Sequence, residues 1–535
     1  NYSLAYSYYN EEGAMVYSGS KKHNISFNMN HEINKWLTVN SRISYDQMRV
    51  EGMGTSEGGD RFNKMQHILQ YRPTVGIMGV DEDLLYGEDP LLADDNGNVM
   101  QNPLISAAEE LNDREWRTFQ ANGGATIKLL KGLSFRSTVG MRYQTRRNDV
   151  FYGDESITGK RSSIQGSITN LENSSFQTSN VLTYSWKNKI HDFTAIAGHE
   201  YVERWSRSFS ASASQFPNDE IGLGDLSLGV PGVPTSSENY DDKLLSFFGR
   251  INYNLMDKYL FTASVRADGS SKFGKNNRWG TFPSVAVGWR LSEEDFFPKN
   301  TPISNLKFRA SWGRLGSESA LGNYYAPTMT NSNTQWMSYI QGGNAWAGMS
   351  NLYLVNDDLR WETTDTKNIG FDFGLFNNKL SGSVNYYYNT TEDLLIEKVM
   401  APSAGIYNPT VNVGKMVNKG FELELNYGNS ISDFDYNIGL NLSTIHNEML
   451  EADPNQVLYG SAWKGNGHFV TQTLKGYPVA SFWLYQTDGI FQSDAEAAAY
   501  VNSKGERLQP DAKAGDIRFK DVDNNGLSLI HISEP

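Results

Sequence analysis

A chain of 535 residues without cysteine holds no disulfide, and its net charge of −14 argues against nucleic acid as a partner, because phosphate contacts need clustered Lys and Arg. Hydrophobic residues make up an ordinary 39%, yet aromatic residues reach 13%, with 29 Tyr, 26 Phe and 12 Trp. No run approaches the ~20 apolar residues of a membrane helix, but a strand spans a bilayer in ~10, and a barrel in which every second strand residue meets lipid has this composition.

The chain opens inside a strand-like run, NYSLAYSYY, with no basic-then-apolar leader before it, and reads as a piece whose natural start lies upstream. Residues 22 to 45 then form a hairpin pattern: Ile25, Phe27, Met29 and Ile33, a turn at Asn34, Lys35 and Trp36, then Leu37, Val39, Ile43 and Tyr45. A polar stretch from about 50 to 115, rich in Gly, Asp, Asn and Glu, reads as a loop. The next hairpin carries Phe119, Ala121, Ala125, Ile127 and Leu129, then Leu133, Phe135, Val139, Met141 and Tyr143, with Gly132 suited to a left-handed turn position. After a second loop to about 174, Leu182, Tyr184 and Trp186 pair with Phe193, Ala195, Ala197 and Tyr201, and 204 to 244 reads as a third loop.

The clearest pattern is 245 to 291. Phe247, Gly249, Ile251, Tyr253 and Leu255 alternate with polar residues, and so do Tyr259, Phe261, Ala263, Val265 and Ala267. The turn Met256-Asp257-Lys258 sets Leu255 opposite Tyr259, so both apolar rows share one face of an antiparallel hairpin. In a barrel Ile251, Tyr253, Phe261 and Val265 face lipid, and Arg250, Asn252, Thr262 and Ser264 face the lumen. Further strands follow at Val285 to Leu291, Leu306 to Trp312, Ile369 to Leu375, Leu380 to Tyr388, Phe421 to Tyr427 and Phe434 to Leu442. Connections alternate between short (near 34, 130, 187, 256, 377 and 429) and long (near 50, 148, 205, 316, 391 and 447). A sandwich has no reason to sort its loops between two ends, whereas an outer-membrane barrel keeps short turns inside and long loops outside. The expectation is therefore an all-β chain, a large antiparallel transmembrane β-barrel of about 14 to 16 strands, with long extracellular loops and short periplasmic turns.

Several stretches also carry a resemblance. FFGRINYNLMDKYLFTASVRADGSSKFGKNNRWGTFPSVAVGWRLSEEDFF (247 to 297), LKFRASWGRLGSESALGNYYA (306 to 326) and DDLRWETTDTKNIGFDFGLFNNKLSGSVNYYYNTTEDLL (357 to 395) are similar to SusC-like, TonB-dependent outer-membrane transporters of the Bacteroidetes. So are NVGKMVNKGFELELNYGN (412 to 429), GYPVASFWLYQTDGIFQS (476 to 493) and GDIRFKDVDNNG (515 to 526). The resemblance implies a 22-stranded barrel filled by a plug, energised by the TonB complex, embedded in outer-membrane lipid and lidded by a SusD-like surface lipoprotein that helps capture glycans or peptides. Residues 1 to 526 would be a partial barrel domain without the plug and the last strands, and the tail 527 to 535, LSLIHISEP, reads as non-native. A passive porin and a secreted multi-domain β carbohydrate-binding protein are the rival readings.

No HExxH, GxSxG or phosphate-loop pattern is present, so no enzyme and no cofactor are expected. His23, His31 and His199 lie in strands and read as wall residues. Asp521, Asp523 and Asn525 before Gly526 match the opening of a calcium loop, but the distal Glu is lacking and a polar turn is the preferred reading. Tyr324, Tyr325, Trp336 and Trp346, in the loop 316 to 364, are candidates for stacking on sugar rings or on a partner protein, and equally for anchors at the lipid boundary. Glu422 and Glu424, two apart on one strand, suit a wet lumen.

Overall fold

A computed structural model describes residues 1–52, 68–69, 71, 89–93, 99–100, 102–232, 234–298, 300–321, 330–331, 338–347, 350–351, 356–401, 403, 408–453, 457–460, 462–463, 468–502, 504–521 and 531–532. Most of these belong to one antiparallel sheet of 17 strands. Its long strands, numbered here along the wall, are β1 Tyr2–Glu12, β2 Gly19–Asn34, β3 Leu37–Glu51, β4 Glu110–Leu130, β5 Leu133–Tyr152, β6 Gln165–Lys187, β7 His191–Ser214 and β8 Thr235–Leu255. They continue as β9 Tyr259–Ser270, β10 Trp279–Arg290, β11 Ile303–Ser317, β12 Glu362–Leu375, β13 Leu380–Glu392, β14 Lys415–Ile431, β15 Phe434–Ser443 and β16 His446–Glu451. The remaining strand is the two-residue Val230–Pro231.

Each wall strand pairs with its neighbours in sequence, from β1 with β2 to β13 with β14. The last two strands share one edge: β15 pairs with residues 422–431 of β14 and β16 with 415–419. They are halves of one strand interrupted at Thr444, whose hydroxyl oxygen accepts from the Phe421 amide at 3.0 Å. Setting Val230–Pro231 aside and counting this broken pair once leaves 15 wall positions, within the expected range. Among the described residues no pairing joins β1 to β15 or β16, so the described sheet is an open arc.

The register confirms the faces read from the alternation. Tyr253 stands opposite Phe193 and Phe261, and Phe261 opposite Val287, which makes one continuous apolar row across four strands. Asn252 stands opposite Thr194 and Thr262 in the row behind it, on the other face. Ile251, Phe261 and Val265 are 44%, 44% and 48% exposed. Apolar residues bared in this way over strand after strand need a non-aqueous cover. Leu255 pairs with Tyr259 as expected, and Met256 and Asp257 both take φ of +56° to close the turn. Gly132 has φ of +82°, and a β-carbon there would run into the carbonyl of Ser185 on β6, so a glycine is required twice over.

Loop extents differ from the sequence expectation. Strands β4 to β8 run 20 to 24 residues, so β6 begins at Gln165, β7 reaches Ser214 and β8 starts at Thr235, inside the expected second and third loops. At about 3.3 Å per residue such strands are far longer than a hydrocarbon core needs. Their outer halves extend beyond the hydrocarbon core, where neither face has to be apolar, so the alternation fades while the backbone ladder continues. The sorting of connections holds for most pairs: 35–36, 131–132, 188–190, 256–258, 376–379 and 432–433 at one end, against 52–109, 153–164, 215–234, 318–361 and 393–414 at the other; the exceptions are the short 13–18 and 271–278 at the long-loop end and the longer 291–302 at the short-turn end. No helix among the described residues is long and apolar enough to cross a membrane.

The connection 291–302, at the short-turn end, is held by Glu294. Its carboxylate accepts from the Trp289 indole at 2.9 Å and from Lys258 at 3.2 Å. The Tyr259 hydroxyl, then the Trp289 and Lys258 donors, hold this carboxyl below its ordinary value of 4.5. A carboxyl depressed in the folded state contributes stability that is complete above its unfolded pKa and is lost as pH falls through the lower folded one. Glu294→Gln is thus expected to lower the melting temperature of the protein in detergent at neutral pH, with the gap from wild type closing as the pH falls below 4.5. A gap that is the same at every pH would refute this role.

Candidate functional site at the long-loop end of the polar face

The polar face of β7 to β9 gathers charge toward the long-loop end. Arg204 on β7 donates from Nε and Nη2 to Asp242 on β8, at 3.0 and 2.7 Å. Three rows lower, Arg266 on β9 donates to Asp268 at 2.7 Å, to Ser246 at 2.8 Å and to Glu200 at 3.0 Å, and its guanidinium lies 5.7 Å from the Phe248 ring. Even residue numbers on all three strands place these groups on the face shared with Asn252 and Thr262. Asp242, Ser246, Asp268 and Ser270 are buried, although a barrel lumen is wet. Something therefore covers them.

The cover is a collar built from the connection 271–278 and from 318–321 and 356–361, the two ends of the next long connection. Ser271 donates its amide to the Lys243 carbonyl, the Lys272 ammonium reaches the Leu321 carbonyl at 3.5 Å, and Asn277 donates to the Asp358 carbonyl at 3.0 Å. Glu318 lies 3.8 Å from both Arg204 and Lys272, tying the start of the long loop to the wall. Above this polar layer Phe273, Phe282, Leu321, Leu359, Trp361 and Leu395 form an apolar cluster. The Trp361 ring centroid is 4.9 Å from that of Phe273 and 5.5 Å from that of Phe282, and its indole donates to the Arg278 carbonyl at 3.2 Å. Gly316 and Gly280 leave the space that the Phe282 ring fills, since a β-carbon at either would strike it. The arrangement fixes the roots of the outer loops around the mouth of a polar channel, where a ligand would meet fixed hydrogen-bonding groups beside apolar surface.

Lower on the same face, Lys307 and Arg309 contact Asp372 at 3.3 and 2.6 Å, and Arg309 also donates to Asn385. Glu422 and Glu424 stand beside this group, opposite Asn385 and Ser383, on the polar face as read from the sequence. His23 and His199 stand in wall strands, near the Tyr6 hydroxyl and the Asn180 amide.

Of the aromatic candidates, Tyr324, Tyr325 and Trp336 lie outside the described residues. Trp346 is placed by its backbone in a short hairpin, Ser338–Gln341 with Asn344–Ala347, opposite Tyr339. Asp521 is described, while Asp523 and Asn525 are not, and most of the tail 527 to 535 also lies outside the described residues. A cluster that the sequence did not suggest is Glu109, Asp154 and Asp219, whose carboxylates come within 4.8 Å of one another. Burial, then a hydrogen bond and repulsion from Asp219, raise the Glu109 carboxyl above its ordinary value. The three residues come from three different long connections, so no spacing rule could have joined them.

Residues 60–515 match a protein family described as TonB dependent receptor-like, beta-barrel. A TonB-dependent receptor of Formosa agariphila is 28% identical over 98% of this chain and 51% of its own length. The TonB-dependent receptor SusC of Bacteroides thetaiotaomicron is 36% identical over 45% of this chain and 25% of its own length. The solved structure of the RagAB peptide transporter superposes with a TM-score of 0.76 at 24% identity, over 97% of this chain and 57% of that one, a likeness of fold. The chain spans about half the length of the full-span curated relatives it matches.

Proposed function

The chain belongs to the TonB dependent receptor-like β-barrel family of the Gram-negative outer membrane, and from that premise we propose that it is the wall of an importer of oligosaccharides, peptides or other sizeable nutrients. In this reading uptake is energised through TonB and assisted by a SusD-like lipoprotein docked on the long outer loops. The observation that carries it is the ordered collar around a polar channel mouth, because a pore for small solutes needs no such framework. The relatives' names lean the same way: SusC is a TonB-dependent receptor, and RagAB is a peptide transporter. Family membership supports a transport role. A wide wet lumen in a membrane without ATP needs inner-membrane energy to move solute against a gradient.

The test is uptake of labelled oligosaccharide and peptide mixtures by cells carrying the full-length protein, with and without TonB and with and without the lipoprotein. Uptake is expected to vanish without TonB and to fall sharply without the lipoprotein. Undiminished uptake in the TonB deletion would replace this reading with a passive porin. Topology gives a second check. In intact cells a membrane-impermeant maleimide is expected to label Ser227→Cys, in the connection 215–234, and to leave Asp257→Cys, in the turn 256–258, unlabelled. A labelled Asp257→Cys would invert the orientation.

A further inference from the structure

The apolar face of the wall ends, toward the long loops, in an aromatic row: Tyr45 on β3 stands opposite Phe119 on β4, Phe119 opposite Tyr143 on β5, and Trp205 on β7 follows across Ser174. Aromatic rings in this position mark the boundary between hydrocarbon and headgroups. The same outward face continues beyond them. The next row holds Arg117 and Arg207 with Glu172, the row after it Arg49 and Arg147 with Glu115, and only the third turns acidic, with Glu51, Asp113 and Asp149.

Three of the four guanidinium groups are gripped from the side away from the membrane. Arg117 donates to Glu115 at 2.9 Å, Arg147 to Asp149 at 2.8 Å and Arg49 to Asp113 at 2.6 Å, every carboxylate lying one row farther out. Three of the acids are sheltered, the side chains of Arg49, Arg117 and Arg147 being 52%, 56% and 52% exposed against 19%, 23% and 22% for Asp113, Glu115 and Asp149, while Glu172 is exposed. Although the charges nearly balance in number, four exposed arginines stand against this one exposed acid, and the surface presented is basic. A guanidinium offers five donors, and these bridges use one or two of them. Arg207 lies 5.0 Å from the Trp205 ring, at the junction of the aromatic and basic rows. The surface is concave, a hollow of about 840 Å³ lined by Arg49, Arg117 and Arg147 with their carboxylate partners, Glu172 and Phe209.

We propose that this hollow on the outer face of β3 to β7 binds the phosphate-bearing headgroup of an outer-leaflet lipid, through Arg49, Arg117 and Arg147, with Arg207 at its lower rim. The carboxylates hold planar, permanently charged forks toward the headgroup layer, the geometry that recognises phosphate oxygens. The inference rests on the outer-membrane location of the family and is independent of what the barrel imports.

The test uses the full-length protein in three vesicles: phosphatidylcholine alone, phosphatidylcholine with phosphorylated lipid A, and phosphatidylcholine with dephosphorylated lipid A. Lipid retained per protein after extraction and the melting temperature are read in each. Wild type is expected to retain, and be stabilised by, the phosphorylated lipid only. The triple variant Arg49→Gln, Arg117→Gln, Arg147→Gln is expected to bind it roughly 100-fold more weakly, given the contribution of each basic residue at a lipid surface. The same charge change on the polar face, Arg42→Gln, Arg136→Gln, Arg142→Gln, is expected to leave retention unchanged. Equal retention of the two forms of lipid A by wild type would overturn the proposal even if the triple variant failed to assemble. So would stabilisation by inorganic phosphate alone to the same extent, which would mean a free-anion site. Retention unchanged in the triple variant with an altered oligomeric state would make the hollow a protein interface instead.

Discussion

Trp361→Ala is expected to destabilise the collar by about 3–5 kcal/mol, the range for removing a large buried aromatic side chain. Trp361 is 8% exposed, touches Phe273 and Phe282 edge-on or tilted, and bonds the Arg278 carbonyl, so its loss opens a cavity and orphans an acceptor together. The wall strands do not depend on it, since their ladders close below the collar. The effect is therefore local. Hydrogen exchange and proteolysis of the full-length protein in detergent are expected to accelerate within 271–278, 318–321 and 356–361 and to stay unchanged in β4 to β7. Trp279→Ala is the contrast, because that ring is 52% exposed on the apolar face and stacks only on Phe247. Equal acceleration by the two variants, or none by Trp361→Ala, would remove the collar as the element that orders the mouth.

Val265→Arg is expected to cost about 2–4 kcal/mol and Ser264→Arg much less, although the two positions are adjacent on β9. Val265 faces lipid, and its partners on either side, Gly249 and Pro283, offer no side-chain acceptor for a guanidinium. Ser264 faces the channel, with its hydroxyl 2.7 Å from that of Ser284 across the β9–β10 pair, where water and polar side chains solvate a new charge. Unfolding by denaturant from lipid vesicles measures both. Equal costs would sink the assignment of faces on which the channel, the collar and the outer hollow all depend.

How much of this was legible varies by element. The turn and the pairing of 245–255 with 259–269 are legible because the alternation there is unbroken and the turn short, and the observed pair Leu255 with Tyr259 matches, although the strand itself starts at Thr235. The start of β6 was missed because QGSITNLENSS, 165–175, stands above the membrane, where neither face needs to be apolar. Glu422 and Glu424 were read onto the channel face by parity alone, and the register agrees. The aromatic candidates rest on residue type and loop position alone, and three of the four lie outside the described residues.

The sequence by itself determined the strand faces, the tight turns and the sorting of connections, and with them the class of the fold. These features depend on residues a few positions apart, where side-chain period and turn chemistry act directly. Only the tertiary structure decided that Phe273, Phe282, Leu321, Leu359, Trp361 and Leu395 form one cluster, that Asp242 shelters under Glu318 and Arg204, and that Arg49, Arg117 and Arg147 share one hollow. Such meetings depend on the register summed across several strands and on where long connections fold back. A slip of one residue at any pair would send every later side chain to the opposite face.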